Sequence, residues 1–454
     1  MSQRTRNLNM TEGEIWKVLL LFFLPMMAGN LLQQLYATVD AIIVGRFVGK
    51  TGLASIDAIM ALLRLPGNVF GGLGGGATIL ISQYFGAGNR EELDKAVHTS
   101  VLFSLVGGAI LSAVGVLIAP LCLEWLQVPL ELRGQALPYM RIYFAGFLVT
   151  MSYYMSAGTL RAMGDSRTPF VSMAVACVLN IVLDIFMVGN LGLGTTGAAL
   201  ATVIAQALSM LLNFRALASP DSPAPMTLAK LRMDREVLRR TLRLGVPLSL
   251  QAAVYPIANM ALQTTINLTG TDNIAAWALC CKLDMIIWMC ADSLPSALAT
   301  FVAQNHGAGL KDRARQGTAT AMAMTIALVG SLSLILYFAA AWLGRFFIPE
   351  ADWSILPLTG KYMRIMAPFY WTYVVGECLS ATVRGVGDTF RPMLLTVAGT
   401  CGLRLAWVAF VVPHSPVMET ILWAFPLSWM ATSLLFVGYF LLFHRRGRVP
   451  AGET

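Results

Sequence analysis

Six carboxylate side chains lie inside long apolar stretches of this sequence, where their type and spacing could do chemistry. If these stretches cross a lipid bilayer, a carboxylate at its centre costs roughly 2.5–3.5 kcal/mol, so a retained one is a candidate functional group. Asp184 follows Asn180 by four residues, a spacing that puts both side chains on one face of a helix. Carboxylate and amide oxygens suit a proton or a hard cation such as Na⁺. The six carboxylates are Asp40, Asp57, Asp184, Asp284, Asp292 and Glu377.

The composition indicates that the apolar stretches are transmembrane helices. Of 454 residues, 57% are apolar and only 12% are charged, about half the roughly 25% of soluble domains. This excludes a soluble globule, a disordered or collagen-like chain and a disulfide framework. Each crossing needs about 20 apolar residues, so we expect an all-α polytopic membrane protein. Its twelve predicted helices cover 15–45, 52–84, 93–121, 134–162, 168–189, 195–217, 240–267, 272–304, 313–343, 357–385, 390–413 and 418–443.

The basic residues orient the predicted helices. One side of the membrane holds the N-terminus, the loops after even-numbered helices and the C-terminal tail, and it carries 22 of the 32 Lys and Arg residues. The opposite loops carry five. Cytoplasmic loops are enriched in Lys and Arg, which predicts a multi-pass protein of the cell membrane with both termini in the cytoplasm. This bias explains the net charge of +8, and no nucleic-acid partner is expected.

The two halves of the chain resemble each other. SQYFGAGNREEL (82–93) is similar to AQNHGAGLKDRA (303–314), and LRAMGDSRTP (160–169) is similar to VRGVGDTFRP (383–392), at offsets of 221 and 223 residues. Six helices per half return each half to the same side, so the repeats are parallel and related by a pseudo-two-fold axis along the membrane normal. Parallel repeats are typical of transporters with a substrate site between the lobes. The predicted parts are an N-lobe (1–217), a cytoplasmic linker (218–239) and a C-lobe (240–454).

The predicted topology brings five polar residues of the N-lobe to one depth. Helices 1 and 5 run outward, which places Asp40 and Asp184 in their outer parts. Helices 4 and 6 run inward, which places Tyr139 and Thr202 towards their outer ends. With Asn180, these residues could hold a coupling cation, and Na⁺ would use the oxygens of Asp40, Asn180, Asp184 and Thr202. Two close carboxylates also tend to share a proton. The alternative is a structural network in which every polar group is satisfied.

The second half lacks this group of polar residues. An offset of 222 from Asp40, and of 223 from Asn180 and Asp184, leads to apolar side chains. The repeats have therefore diverged where chemistry is expected, and we predict the coupling site in the N-lobe. The three equivalent positions are Leu262, Leu403 and Trp407.

Five other residues are candidates for a role in conformational change. Lys282 and Asp284 in helix 8 are expected to form a buried ion pair or to join two helices, with a part in coupling as the alternative. Glu377, in the inner half of helix 10, is a weaker candidate for a second protonation site. Pro25 and Pro247 each remove a backbone hydrogen bond from helices 1 and 7. A bend at Pro25 could link protonation of the N-lobe site to the cavity, and the alternative is a static kink.

Other motifs argue against a nucleotide-binding protein and against a membrane-embedded enzyme. The segment GGLGGGAT (71–78) has small residues four apart, which predicts close contact between helices. It lacks the Gly-Lys-Ser/Thr of a phosphate-binding loop, so nucleotide binding is not expected. The four histidines form no HExxH motif or pair, which disfavours a membrane-embedded enzyme. They are His98, His306, His414 and His444.

Several motifs together resemble the multidrug and toxic compound extrusion (MATE) family. They are YATVDAIIVGRFVG (36–49), the two GAG loops, and the paired RAMGD and RGVGD loops, and the resemblance extends over both halves. It implies two six-helix bundles forming a V, an alternating-access cavity, and export of organic cations in exchange for H⁺ or Na⁺. By this resemblance Asp40, Asn180, Asp184 and Thr202 form the cation site, with Tyr36 and Tyr139 beside it.

The resemblance also suggests a branch and a cavity. One branch of the family carries carboxylates on helices 7 and 10, and this chain has Tyr255 and Tyr373 at those positions, which favours the DinF-like branch. No cofactor beyond the coupling ion is expected, and the partners are the lipid bilayer and small organic substrates of a monomer. The alternative is a flippase for lipid-linked oligosaccharides in the same superfamily. The expected substrate-cavity residues are Tyr36, Met27, Gln34, Tyr143, Met151 and Tyr154.

Overall fold

The computed structural model describes residues 8–445, with side chains up to residue 442, and all regular structure in this part is helical. The segments 1–7 and 446–454, which contain both predicted cytoplasmic termini, lie outside the described residues. Twelve helical segments follow one another between them. They are α1 (Ile15–Phe47), α2 (Lys50–Gly86), α3 (Arg90–Trp125), α4 (Leu130–Ala145 and Phe147–Ala162), α5 (Arg167–Asp184 and Ile185–Asn190), α6 (Gly194–Leu217), α7 (Arg235–Ile266), α8 (Thr271–Leu283 and Met285–Gly307), α9 (Lys311–Gly344), α10 (Leu356–Met366, Ala367–Phe369 and Tyr370–Gly385), α11 (Phe390–Thr396, Val397–Gly402 and Leu403–Phe410) and α12 (Met418–Leu422 and Ala424–Arg445).

This architecture confirms the predicted all-α fold of twelve membrane-spanning segments. Within the described residues, nine helices are individually long and apolar enough to cross a membrane. The other three segments have local reasons for falling short. α4 and α10 are divided into helices of at most 16 residues, and the uncharged part of α7 contains the polar residues Gln251, Asn259 and Gln263. Pro368 lies at the division of α10, where it removes a backbone donor.

The paired loops that revealed the internal repeat adopt the same local structure. Gly164 and Gly387 have φ angles of +89° and +98°, a left-handed conformation that glycine adopts without a steric penalty. Asp165 then accepts a hydrogen bond from the backbone nitrogen of Thr168 at 2.8 Å, and Asp388 accepts one from Arg391 at 3.1 Å. Each aspartate thus caps the start of the next helix, α5 or α11. The two halves therefore repeat the same turn, a glycine with a positive φ angle followed by an aspartate that caps the next helix.

The packing divides the chain into two compact units, Met1–Met10 with Leu20–Ser249, and Thr11–Leu19 with Leu250–Thr454. The first unit, called unit 1 below, contains most of α1 to α6 and the first part of α7. The second, unit 2, contains the remainder of α7 and α8 to α12. The division falls inside α7, whereas the lobes and linker defined from the sequence remain a prediction.

Glycines of α2 allow a close crossing with the first part of α7, as the small-residue spacing predicted. A Cβ atom added at Gly72 would lie 2.4 Å from the backbone nitrogen of Ser249. One added at Gly76 would lie 2.5 Å from the backbone nitrogen of Gly245. The hydroxyl of Ser249 donates a hydrogen bond to the Val69 carbonyl oxygen at 2.6 Å across this crossing. Backbone-to-backbone approach of this kind is typical of helix pairs in membranes.

We predict that Gly76→Ala lowers the free energy of unfolding by about 1–3 kcal/mol, because the added methyl group displaces the backbone of α7. Gly74→Ala is the matched control, since nothing lies within 4 Å of its Cβ position. The measurement is the thermal unfolding midpoint of each purified variant in one detergent. Equal midpoints for the two variants would contradict the crossing.

Candidate functional site

The predicted N-lobe site is built around the outer end of α5. Asn180 and Asp184 are both 0% exposed, and their spacing puts them on one face, as expected. The α-helical hydrogen bonding ends at Asp184, and a π-helical turn, Ile185–Asn190, follows directly. π turns in α-helices are found frequently at functional sites. The helix geometry therefore changes at the carboxylate that the sequence singled out.

α1 brings a second carboxyl group to this point. The carboxyl group of Asp184 neighbours both the Asp40 carboxyl group and the Asn180 amide. Asp40 itself is half-buried. One turn earlier on α1, the Tyr36 hydroxyl lies beside Thr202 of α6 and within electrostatic range of both carboxyl groups. The structure thus places these five residues of α1, α5 and α6 together.

The polar atoms of this cluster are left without partners. Within the described residues, both oxygens of Asp184 and both polar atoms of Asn180 are buried and form no hydrogen bond. The same holds for Oδ1 of Asp40 and the hydroxyl of Tyr36. A buried polar group without a partner costs roughly 1–3 kcal/mol, and such groups call for a physical explanation. An oxygen-rich cluster of this kind is suited to a proton or a small hard cation.

Tyrosines of α4 form one wall of the cluster. Tyr139 is buried and lies within electrostatic range of Asp40 and Asp184. Its ring stacks on that of Tyr143, with centroids 6.1 Å apart and planes inclined by 14°. Tyr139 therefore lies beside the two carboxyl groups, while the predicted roles of Tyr139 in cation coupling and of Tyr143 in the substrate cavity remain predictions.

The remaining expected cavity residues have different surroundings. Gln34 of α1 is exposed and Met27 is half-buried, whereas Met151 is fully buried in the unit 1 core. Tyr154 accepts a hydrogen bond from Nε2 of Gln33 at 2.9 Å, which joins α4 to α1. Gln33 was not expected at the site. A polar residue within an apolar stretch was the available signal, but its partner is 121 residues away.

The candidate ion pair of α8 does not form in the described part of the chain. Lys282 is exposed and Asp284 is buried, because residues two apart point to different sides of a helix. Asp284 instead accepts hydrogen bonds from the Trp288 ring nitrogen at 3.0 Å and from the Tyr370 hydroxyl at 2.8 Å. Asp284 thus joins α8 to α10, and a contact between two helices was the other possibility that we expected.

Glu377, the candidate second protonation site, has a cationic partner. It accepts a hydrogen bond and forms an ion pair with Arg384, two helical turns further along α10. Asp292 of α8 lies nearby and accepts a hydrogen bond from the Tyr373 hydroxyl at 3.1 Å. Glu377 therefore differs from Asp184, whose oxygens have no partner in the described residues.

Unit 2 contains a buried arginine for which the sequence predicted no role. Arg404 of α11 is only 1% exposed. Its guanidinium donates to Asn259 Oδ1 at 2.6 Å and to the Ser428 hydroxyl at 3.0 Å. The group also lies over the rings of Tyr255 and Phe425, at 5.4 and 4.8 Å from the ring centres. Neutral oxygens and aromatic faces thus stabilise this cation.

The two prolines lie within continuous helices. α1 extends from Ile15 to Phe47 through Pro25, and α7 extends from Arg235 to Ile266 through Pro247. Each proline removes one backbone hydrogen bond, so the expected disturbance is confined to about one turn. The role of either residue in conformational change remains a prediction.

Comparison with solved structures shows which fold the chain adopts. A transporter of the MOP superfamily from Pyrococcus furiosus superimposes with a TM-score of 0.87, covering 98% of this chain and 99% of that one at 21% identity. At this identity the match shows the fold alone. The fold is that of a polytopic membrane transporter.

Sequence comparison then gives the family. The sequence profile described as MatE matches residues 25–186 and 247–409, once in each half. The chain therefore belongs to the MATE family, as its motifs indicated, and is a transporter and not an enzyme. The probable multidrug resistance protein YoeA of Bacillus subtilis is 28% identical over 442 residues, 95% of this chain and 94% of its own. The multidrug export protein MepA of Staphylococcus saprophyticus is 25% identical over 435 residues, 93% of this chain and 91% of its own.

We predict that Asn259→Leu lowers the thermal unfolding midpoint more than the double variant Asn259→Leu with Arg404→Met. The single change leaves a buried guanidinium without one acceptor, at a cost of about 1.5–3 kcal/mol. The double change removes the charge that needs it. Gln263→Leu, which alters an exposed amide of the same helix, is the control. A double variant less stable than the single one would contradict this account.

Proposed function

We propose that this chain is a cation-coupled antiporter that exports amphipathic, often cationic, compounds across the cell membrane by alternating access. The observation that carries the proposal is the neighbouring carboxyl groups of Asp40 and Asp184, of which both oxygens of Asp184 and Oδ1 of Asp40 are buried without partners in the described residues. Family membership supports it, and so do relatives whose names describe multidrug resistance and multidrug export. The coupling ion is H⁺ or Na⁺, and the chain acts as a monomer without another cofactor.

The proposed coupling rests on charge balance in a site with little water. Without a cation, two neighbouring carboxylates repel each other, and their separation relieves that repulsion. A proton or Na⁺ removes the repulsion and favours a compact arrangement of α1, α5 and α6. A ligand shifts a conformational equilibrium only through different affinity for the two states. The cation is therefore proposed to bind tightly in the drug-releasing state and weakly in the drug-binding state.

Each residue of the site has a proposed role in this exchange. Asp40 and Asp184 exchange the cation, while the Asn180 amide and the Thr202 hydroxyl supply neutral oxygen ligands. Tyr139 positions the carboxyl groups from α4. The π turn after Asp184 lets the outer end of α5 adjust, and Pro25 and Pro247 are the proposed points of bending in α1 and α7.

The substrate is proposed to bind next to this site in the proposed N-lobe (1–217), which the linker 218–239 joins to the C-lobe (240–454). Aromatic faces attract organic cations, and thioether side chains adapt to varied shapes. Both termini are placed in the cytoplasm by the distribution of Lys and Arg. The proposed cavity residues are Tyr36, Met27, Gln34, Tyr143 and Tyr154. Met151, which was also expected there, is left out because it is fully buried in the unit 1 core.

We predict that Asp40→Asn and Asp184→Asn each reduce ethidium efflux from membrane vesicles to the background rate. The amide keeps the shape of the side chain but cannot exchange a proton or neutralise a cation. Efflux is measured by ethidium fluorescence at matched expression. Asp57→Asn on α2 is the control, because Asp57 is exposed and lies outside the cluster; it should transport at the wild-type rate. Wild-type transport by both site variants would exclude the proposed site.

We further predict that a gradient of H⁺ or of Na⁺, imposed alone on proteoliposomes, drives ethidium transport against its own gradient. The same gradient should give no transport in the Asp184→Asn protein, because the cation then lacks its ligand. Protein-free liposomes with the same gradients control for leakage. Transport that responds to neither gradient would contradict antiport while leaving export by another energy source.

A further inference from the structure

A cavity of ≈ 670 Å³ lies in unit 1 at the opposite end of α5 from Asp184. It lies where α5 begins and α6 ends, because these two consecutive helices are antiparallel. Both polar and apolar side chains line the cavity. The residues that shape it are Arg167, Thr168, Val171, Leu212, Arg215 and Ser219.

The positive charges of two arginines at this cavity have no partner among the described residues. Arg167 and Arg215 are exposed and form no hydrogen bond or ion pair with any described residue. The neighbouring carboxylate, Asp165, is 5% exposed. It is engaged by the backbone nitrogen and hydroxyl of Thr168 at 2.8 and 2.5 Å. Two guanidinium groups therefore face the same cavity, and planar guanidinium groups are well matched to phosphate oxygens.

The apolar lining residue Val171 is the first of a row of exposed apolar residues along the outside of the helix pair. Val171, Val175 and Val178 of α5 are exposed at helical spacing, which puts them on one stripe of that helix. Leu211 and Ile204 of α6 are exposed seven residues apart. A stripe of exposed valine and leucine on a membrane helix faces lipid chains. A ligand that fits both the two arginines and the exposed apolar rows has an anionic head and long apolar tails.

The equivalent place in unit 2 is built differently, so the feature is not general to these helix ends. At the offset of 223 residues, Arg167 corresponds to Phe390 and Arg215 to Gly438. The arginine that unit 2 has there, Arg391, donates to Asp388 at 2.9 Å. One unit has two arginines without partners, and the other has one arginine with a carboxylate partner.

We propose that this cavity binds the phosphate headgroup of an anionic phospholipid, with its acyl chains along the exposed faces of α5 and α6. In the proposed orientation, the cavity opens to the cytoplasmic leaflet, where basic pockets between membrane helices bind anionic headgroups. The bound lipid clamps α5 to α6, the helices that carry Asp184 and Thr202. The site lies outside the cation cluster and does not depend on transport.

The test is the affinity of the purified full-length protein for phosphatidylglycerol and for phosphatidylcholine with the same acyl chains, measured by native mass spectrometry. Each basic residue near an anionic headgroup changes its affinity by about fivefold. Arg167→Gln with Arg215→Gln should therefore weaken phosphatidylglycerol binding by about 25-fold and leave phosphatidylcholine binding unchanged. Arg239→Gln with Arg243→Gln removes two exposed charges of α7 outside the cavity and should change neither.

Three results would overturn the proposal. The first is wild-type protein that binds the two lipids equally, and the second is the same loss in the α7 control variant. The third separates the two sources of phosphate. If glycerol 3-phosphate or inorganic phosphate at equal concentration displaces phosphatidylglycerol, the cavity recognises a soluble anion and the lipid chains play no part. Size-exclusion profiles verify that every variant is folded, and the exposed positions of both arginines favour this.

Discussion

A polar group inside a membrane protein must find its partner within the protein, because the hydrocarbon around it offers none. Most polar residues of this chain follow that constraint locally. The hydroxyls of Thr159 and Thr325 donate to carbonyl oxygens one turn back at 2.9 and 2.7 Å. Asp284 and Arg404 find partners on other helices, far away in the sequence. Within the described residues, Asn180, Asp184 and Oδ1 of Asp40 have no such partner, and because two of these residues are neighbouring acids, their cluster is the proposed place of ion binding.

The constraint also explains how much the sequence could predict. The twelve helices follow from apolar length, and the paired loops follow from glycine and aspartate at fixed positions. Asn180 and Asp184 lie four residues apart on one helix, so their common face was predictable. The pairing of Lys282 with Asp284 was a weak expectation, since a spacing of two residues points side chains apart. Glu377 and Arg384, seven residues apart on one face, gave a signal that went unused.

Other parts of the structure had no local signal. Arg404 meets Asn259 across 145 residues of sequence, and only the packing of α7 against α11 brings them together. The short break in α8 lies at Asp284, with neither a proline nor a glycine to mark it, whereas the break in α4 lies at Gly146. Turn chemistry and apolar length are properties of a segment. The partners of a buried polar group are properties of the whole unit, which is why the interior was the least predictable part.

The π turns of α5 and α11 change which residues of the two units correspond. A π turn holds about one residue more than an α turn, and α11 has its π turn at Val397–Gly402, earlier in the repeat than the one at Ile185–Asn190 of α5. Between these points α11 is one residue ahead in rotational register. Asn180 therefore corresponds to the buried Arg404 and not to the half-buried Leu403. In unit 1 this position holds the amide of Asn180 beside two carboxyl groups. In unit 2 it holds the guanidinium of Arg404, a positive charge that belongs to the chain and cannot dissociate.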